Sequence, residues 1–170
     1  MQNKQEEWLD IVNEDDNVIG MMSRSDAYEQ KLYSSLRTCW LMIKNSEGKL
    51  WIPRRHLSKK ILPGGLDGSA VGHVSAGESY KRGLIRETEE EVGVDLTKVP
   101  YKLLGKLDPQ KDKSLCFAHV YEIELDDVPD WNKDDFVEFF WLTPQEVLQK
   151  IEEGHPAKST LSIILKKFYI

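Results

Sequence analysis

The residues most able to do chemistry sit between Gly72 and Val94, in the run GHVSAGESYKRGLIRETEEEVGV. Glu87, Glu90 and Glu91 are spaced i, i+3 and i+4, so on a helix their carboxylates crowd within one turn. Like charges at that spacing cost roughly a few tenths of a kcal/mol per pair. Arg86, four residues before Glu90, relieves part of this repulsion. A divalent cation would relieve all of it. Mg²⁺ takes oxygen ligands in an octahedron, typically one or two carboxylates plus the phosphates of a substrate. The chemistry this set suits is the holding of a divalent cation. The plainer alternative is a solvated acidic helix face, the usual meaning of clustered Glu.

Certain elements must position these acids. Ser79 to Val92 reads as a helix, entered from a loop ending at Gly77 and capped by Ser79. Leu84, Ile85, Thr88 and Val92 form its buried stripe, with the three glutamates on the opposite side. Glu78 and Gly93 flank it. Taken whole, the spacing Gly72-x5-Glu78-x7-Arg86-Glu87-x-x-Glu90-Glu91-x-Gly93 resembles the box of the Nudix superfamily. At roughly 6% usage per residue type, seven fixed identities at one start have a chance probability of about 10⁻⁹. Thr88 departs from the bulky apolar residue usual there but keeps a β-branched shape. The resemblance implies an α/β fold, an α/β/α sandwich around a mixed β-sheet. It implies Mg²⁺ or Mn²⁺ as cofactor, held by Glu87, Glu90, Glu91 and the carbonyl of Gly72. Glu87 or a neighbour then activates water, Arg86 orients Glu90, and Glu78 is a supporting acid.

Composition narrows the partners. The chain has 170 residues, 40% hydrophobic, with a net charge of −6. One domain spanning 1–170 is expected: an extension over 1–33 with a hairpin and a short helix, a core over 34–142, and C-terminal helices over 143–170. The acidic balance argues against a nucleic-acid polymer, whose binding rests on neutralising many phosphates. Two cysteines, Cys39 and Cys116, lie inside apolar runs, as buried thiols of a reducing, cytoplasmic protein do. No run is long enough for a membrane span, and the start MQNKQEEWLD is no signal peptide.

In chain order, Trp8–Val12 and Val18–Met22 read as β runs about a polar turn, and Ser25 as the start of a short helix. This opening packs on the domain or forms a dimer contact. A homodimer is the oligomer to expect, if there is one. The unbroken apolar run Cys39–Ile43 suits a strand buried on both faces, returning through Asn45–Gly48 into Lys49–Arg54. From Lys44 to Lys60 six basic residues face one acid. Arg54, Arg55, Lys59 and Lys60 are therefore candidate phosphate ligands, against a plain role in guarding a strand edge. Leu66–Val71 reads as a short strand, Tyr101–Leu107 and Ser114–Leu125 as longer ones, and Pro109–Lys113 as a polar loop. His119 falls on the apolar side of its strand, as a core or pocket histidine. Asp126–Asp135 reads as a solvated acidic loop. Phe136–Leu142 is apolar except for Glu138, whose carboxylate needs a cation or hydrogen-bond partners there. Its place before Trp-Leu-Thr-Pro resembles that of a late glutamate serving many Nudix hydrolases as base or extra metal ligand. The alternative is an exposed position on an edge strand. Thr143, Pro144 and Glu146 start a helix that Gly154 ends, and Leu161, Ile164, Leu165 and Phe168 mark a last one.

The segments R-R-x-x-S-K-K, P-G-x-L-D and G-H-V-x-x-G-E-S further resemble the isopentenyl-diphosphate isomerase-like branch of the superfamily. Isomerases of that branch carry a catalytic Cys just before the Gly-His pair, where this chain has Val71. They also use a His at the position of His73 as a ligand, whereas a hydrogen-bonded loop His is the commoner role. Three readings follow. The first is a hydrolase of a small nucleotide, a nucleoside diphosphate or a derivative. The second is an isomerase, against which Val71 counts. The third is a non-catalytic sensor, against which the complete glutamate set counts.

Overall fold

The structure is a computed structural model describing residues 5–170. Its centre is a six-stranded mixed sheet. β3 (Arg37–Lys44) pairs in parallel with β7 (Phe117–Glu124), and β6 (Lys102–Leu107) adds to β7 antiparallel. β4 (Leu50–Arg55) meets β3 antiparallel only at Lys44↔Leu50, then leaves it to pair with β8 (Phe136–Leu142), the edge strand. β5 (Ala70–His73) takes the vacated edge of β3, with Cys39 opposite Gly72 and Trp40 opposite Val71. The divergence of β4 from β5 makes a gap in the sheet, and the candidate site lies along it.

Helices cover both faces. α2 (Tyr80–Val92) lays Leu84 and Val92 on Cys39, Leu41, Ile43, Trp51 and Ile123. On the other face α4 (Pro144–Glu152) and α5 (Ser159–Phe168) bring Val147, Leu161, Ile164 and Leu165 against Trp40, Met42, Ile52 and Val120. This is the expected sandwich, and β3 is buried on both faces because its alternate residues feed both layers. Thr143 caps α4 in a reciprocal capping box with Glu146.

The hairpin of β1 (Trp8–Val12) and β2 (Val18–Ser23), followed by α1 (Arg24–Glu29), packs on the domain. Asp10 accepts from the Gly77 amide at 3.1 Å, and Asp16 accepts from Arg37 Nε at 2.6 Å and the Tyr80 hydroxyl at 2.9 Å. The extension thus straps the loop that enters α2. The Tyr80 ring stacks on His119 at 3.5 Å, so this histidine is a packed one.

Several local expectations change. Ser23, not Ser25, caps α1. Leu66 makes only isolated bridges, to Arg54 and Ala157, because the chain there crosses from β4 toward α5 before β5 begins at Ala70. Residues 109–113 include a short helix, α3 (Pro109–Asp112), capped by Asp108. The acidic loop is tied down in part, with Asp135 paired to Lys59.

Two buried polar groups test the packing. Glu122 on β7 is 2% exposed and accepts from Lys102, Lys44 and the Tyr169 hydroxyl at 2.8, 2.9 and 2.7 Å. Burial alone would raise its carboxyl, but these partners outweigh burial and hold it below the ordinary value. A depressed carboxyl stabilises the fold above the unfolded value of about 4.3, and that contribution is lost as pH falls through the folded value. Glu122→Gln is expected to cost about 2 kcal/mol at neutral pH. The difference from wild type should close in thermal melts toward pH 3. Thr88 Oγ1 is buried without a partner on the stripe of α2. Thr88→Val is expected to stabilise by about 1 kcal/mol, read by denaturant melts.

Candidate active site

The geometry of α2 explains how its acids are aimed. Ser79 accepts from the Arg82 amide at 3.2 Å, and the helix ends at Gly93, whose φ of 64° is left-handed. A Cβ there would also lie 2.9 Å from the Asp130 carbonyl, so Gly93 fixes where the last turn stops. Glu87 and Glu91 are not on a solvated face opposite the buried stripe. They flank it and point to β5. Glu91 inserts at the gap beside β5 and accepts from the Val71 amide at 2.8 Å. Glu87, with a side chain only 13% exposed, lies against Gly72. Glu90 is 59% exposed and free to turn.

Gly72 admits this approach because it has no side chain. A Cβ built there would fall 2.0 Å from Glu87 Cδ. The Gly72 carbonyl accepts weakly from Cys39 Sγ at 3.6 Å.

Arg86 holds the acids in place. Its Nε and Nη2 grip both oxygens of Glu78 at 3.0 and 2.9 Å, its Nη1 reaches Glu87 at 2.5 Å, and its Nη2 also donates to the His73 carbonyl at 3.0 Å. The pairing with Glu90 is long, 3.7 Å. The orienting action of Arg86 therefore falls on Glu78 and Glu87 more than on Glu90. The forked guanidinium suits this, since a lysine could not span two carboxylates and a carbonyl.

Burial and mutual repulsion act on the acids. Burial pushes the Glu91 carboxyl up to about 8, with Asp67 and Glu87 adding repulsion. Burial also raises Glu87, opposed by Arg86. Glu78 is lowered: burial works against this, but Arg86 and the Ser75 amide prevail. Among the described residues no three His, Cys, Asp or Glu side chains converge as a ready-made metal cage. The donor set nevertheless fits a hard divalent cation: an oxygen-only group, two of its carboxylates sunk and mutually repelling, and a third free to swing in.

The other candidates are placed as follows. His73 is a buried strand residue rather than a loop residue. Its Nε2 lies 2.6 Å from the Tyr28 hydroxyl, and burial lowers the ring to about 3, so it is neutral. Glu138 accepts from Arg54 Nε at 2.5 Å and is 49% exposed on the edge strand, so its recorded partner is a neighbouring arginine and not the box. Arg54 also donates to the Gly64 carbonyl. Arg55 pairs with Asp67 at 2.9 Å, Lys59 pairs with Asp135, and Lys60 is exposed. Sequence reasoning passed over Asp67 and Lys158. Asp67 accepts from Arg55 and from Lys158 Nζ, each at 2.9 Å, and lies near Glu91. A lone lysine ahead of the last helix carries no motif that would have signalled this.

Comparison with known proteins agrees with the geometry. Residues 35–162 match the NUDIX domain family. An uncharacterized Nudix hydrolase of Nostoc sp. is 48% identical over 163 residues, 96% of each chain. A Nudix hydrolase of Deinococcus radiodurans is 35% identical over 164 residues, 96% of this chain and 95% of the relative. A crystal structure from D. radiodurans, 36% identical, superposes with a TM-score of 0.91 over 96% of this chain and 100% of that one. No helix among the described residues is long and apolar enough to cross a membrane. Matched along nearly its whole length in sequence and in fold, the chain belongs to the Nudix family as a Nudix hydrolase.

Proposed function

We propose that this hydrolase cleaves the diphosphate of a small nucleotide, a nucleoside diphosphate or a derivative, with Mg²⁺ or Mn²⁺ as cofactor. The observation that carries the reading is the seating of Glu87 against Gly72 and of Glu91 on the Val71 amide, two sunk, mutually repelling carboxylates in an oxygen-only site. Glu87, Glu90, Glu91 and the Gly72 carbonyl would hold the cation, which when bound neutralises the diphosphate and polarises its phosphorus. Glu87, raised by burial, is suited to take the proton of the attacking water, and Arg86 keeps that carboxylate aimed. Glu138 and the basic residues Arg54, Arg55, Lys59 and Lys60 line the approach from β4 and β8 in this proposal.

The likeness to the isopentenyl-diphosphate isomerase-like branch is kept as a likeness of sequence segments only. Burial pushes both thiols up, Cys116 to about 12, and both cysteines are buried, so neither offers a reactive thiolate. Hydrolysis is therefore favoured over isomerisation. The test is a panel of nucleoside di- and triphosphates, sugar nucleotides, dinucleoside polyphosphates and isopentenyl diphosphate, each with Mg²⁺ or Mn²⁺, read by product chromatography. Turnover of one nucleotide class supports the proposal. Allylic isomerisation, or metal-dependent binding with no turnover at all, would refute it in favour of the isomerase or the sensor.

A further inference from the structure

Of the four basic residues that the sequence singles out, Arg54, Arg55 and Lys59 are engaged by acids of the fold and Lys60 is exposed. A different cation stands at the gap beside β5. Lys158, the residue before α5, reaches Asp67 Oδ2 at 2.9 Å, and Arg55 reaches the same oxygen at the same distance. The other Asp67 oxygen is taken by the Gly68 amide at 2.8 Å. Two cations on one carboxylate leave an excess positive charge. The Lys158 ammonium also lies 5.6 Å from the Trp40 ring centroid; Trp40 pairs in register with Val71, and the Val71 amide holds Glu91. Lys158 and Glu91 thus approach the same pair of strands, β3 and β5, Lys158 at the Trp40 ring and Glu91 at the Val71 amide.

The lysine is held rigidly. Leu66 donates to the Pro156 carbonyl at 2.8 Å and accepts from the Lys158 amide at 3.0 Å, a short parallel bridge around Ala157. That bridge fixes the backbone of Lys158 one residue from Asp67. The side chain is still 24% exposed.

We propose that Lys158, preorganised by Asp67 beside Arg55, is a substrate-binding residue that seats the diphosphate oxygens not held by the cation. This rests on the reading above that the substrate carries a diphosphate. An ammonium already fixed over an indole face, with its charge only partly matched, loses little freedom when it takes a phosphate oxygen. An excess cation beside crowded acids also offsets the repulsion between those acids and an anionic substrate.

The test is titration calorimetry of the full chain with methylenediphosphonate and Mg²⁺, a diphosphate that cannot be hydrolysed. Lys158→Met, which keeps the apolar stem on Trp40, is expected to weaken binding by about tenfold or more. Lys166→Gln, at an exposed residue of α5, should leave it unchanged, and Lys158→Arg should restore most of it. Mn²⁺ affinity measured alone should not fall in any of them. The Asp67→Asn, Lys158→Met double variant should stay weak. Recovery in that double variant would mean that Lys158 only neutralises Asp67, and would overturn the assignment. Wild-type affinity in Lys158→Met would overturn it too while leaving the diphosphate reading standing. No binding by the wild type would sink both. Should Lys158→Met fail to fold, acetylation of the wild type provides the readout: methylenediphosphonate with Mg²⁺ should protect Lys158 and not the exposed Lys166, and equal labelling would contradict the proposal.

Discussion

Glu87→Gln and Glu91→Gln are each expected to lower kcat/KM by about 10²- to 10³-fold, the scale of losing one preorganised charge-stabilising group. Both variants should stay folded. At position 91 the amide oxygen can still accept from the Val71 amide, and loss of the charge relieves repulsion from Asp67 and Glu87. At position 87 the glutamine loses an ion pair with Arg86, but the grip of Arg86 on both oxygens of Glu78 remains. Melting temperature and steady-state hydrolysis of the substrate found in the panel measure the two effects separately. Retained activity in both variants would sink the assignment of these carboxylates to the cation.

Gly72→Ala is expected to cost about 10²-fold in kcat/KM, since displacement of a catalytic group by about 1 Å can do so. The new methyl carbon would have to share space with the Glu87 carboxyl carbon, only 2.0 Å away. The backbone at β5 is bonded to β3 on one edge, so the flexible Glu87 side chain is the part that yields. The fold should then survive while the carboxylate is mis-aimed. Kinetics beside a melting curve decide this: a large loss of activity with a small change in melting temperature is the expected pair, and wild-type kinetics would mean that Glu87 need not lie against Gly72.

The sequence made the helix legible because its signals are local. A capping Ser79, an apolar stripe and a terminal Gly93 each act within a turn, and the structure places α2 over Tyr80–Val92. The sandwich was implied by the resemblance to the Nudix box, and the doubly buried β3 and the two C-terminal amphipathic helices, which do follow from short-range periodicity, agree with it. What escaped was set at long range. At about 3.6 residues per turn Glu87 and Glu91 fall beside Leu84 and not opposite the stripe, so their place on the helix flank was legible, and only the strand β5 that receives them was not. Basic residues 54–60 looked uncommitted because their partners, Asp67, Asp135 and Glu138, are up to 84 positions away in sequence. Lys158 escaped because only the bridge through Leu66 brings it to Asp67. The burial of Glu122 is also set at long range, since its partners Lys44, Lys102 and Tyr169 come from three other parts of the chain.

The central claim is that the α2 glutamates hold a divalent cation. Mn²⁺ binding to the metal-stripped protein, followed by electron paramagnetic resonance, tests it most directly. The wild type is expected to bind Mn²⁺, and Glu87→Gln and Glu91→Gln to bind it at least about tenfold more weakly, the lower end for loss of support to a metal site. Equal Mn²⁺ affinity in the wild type and both variants would contradict the account.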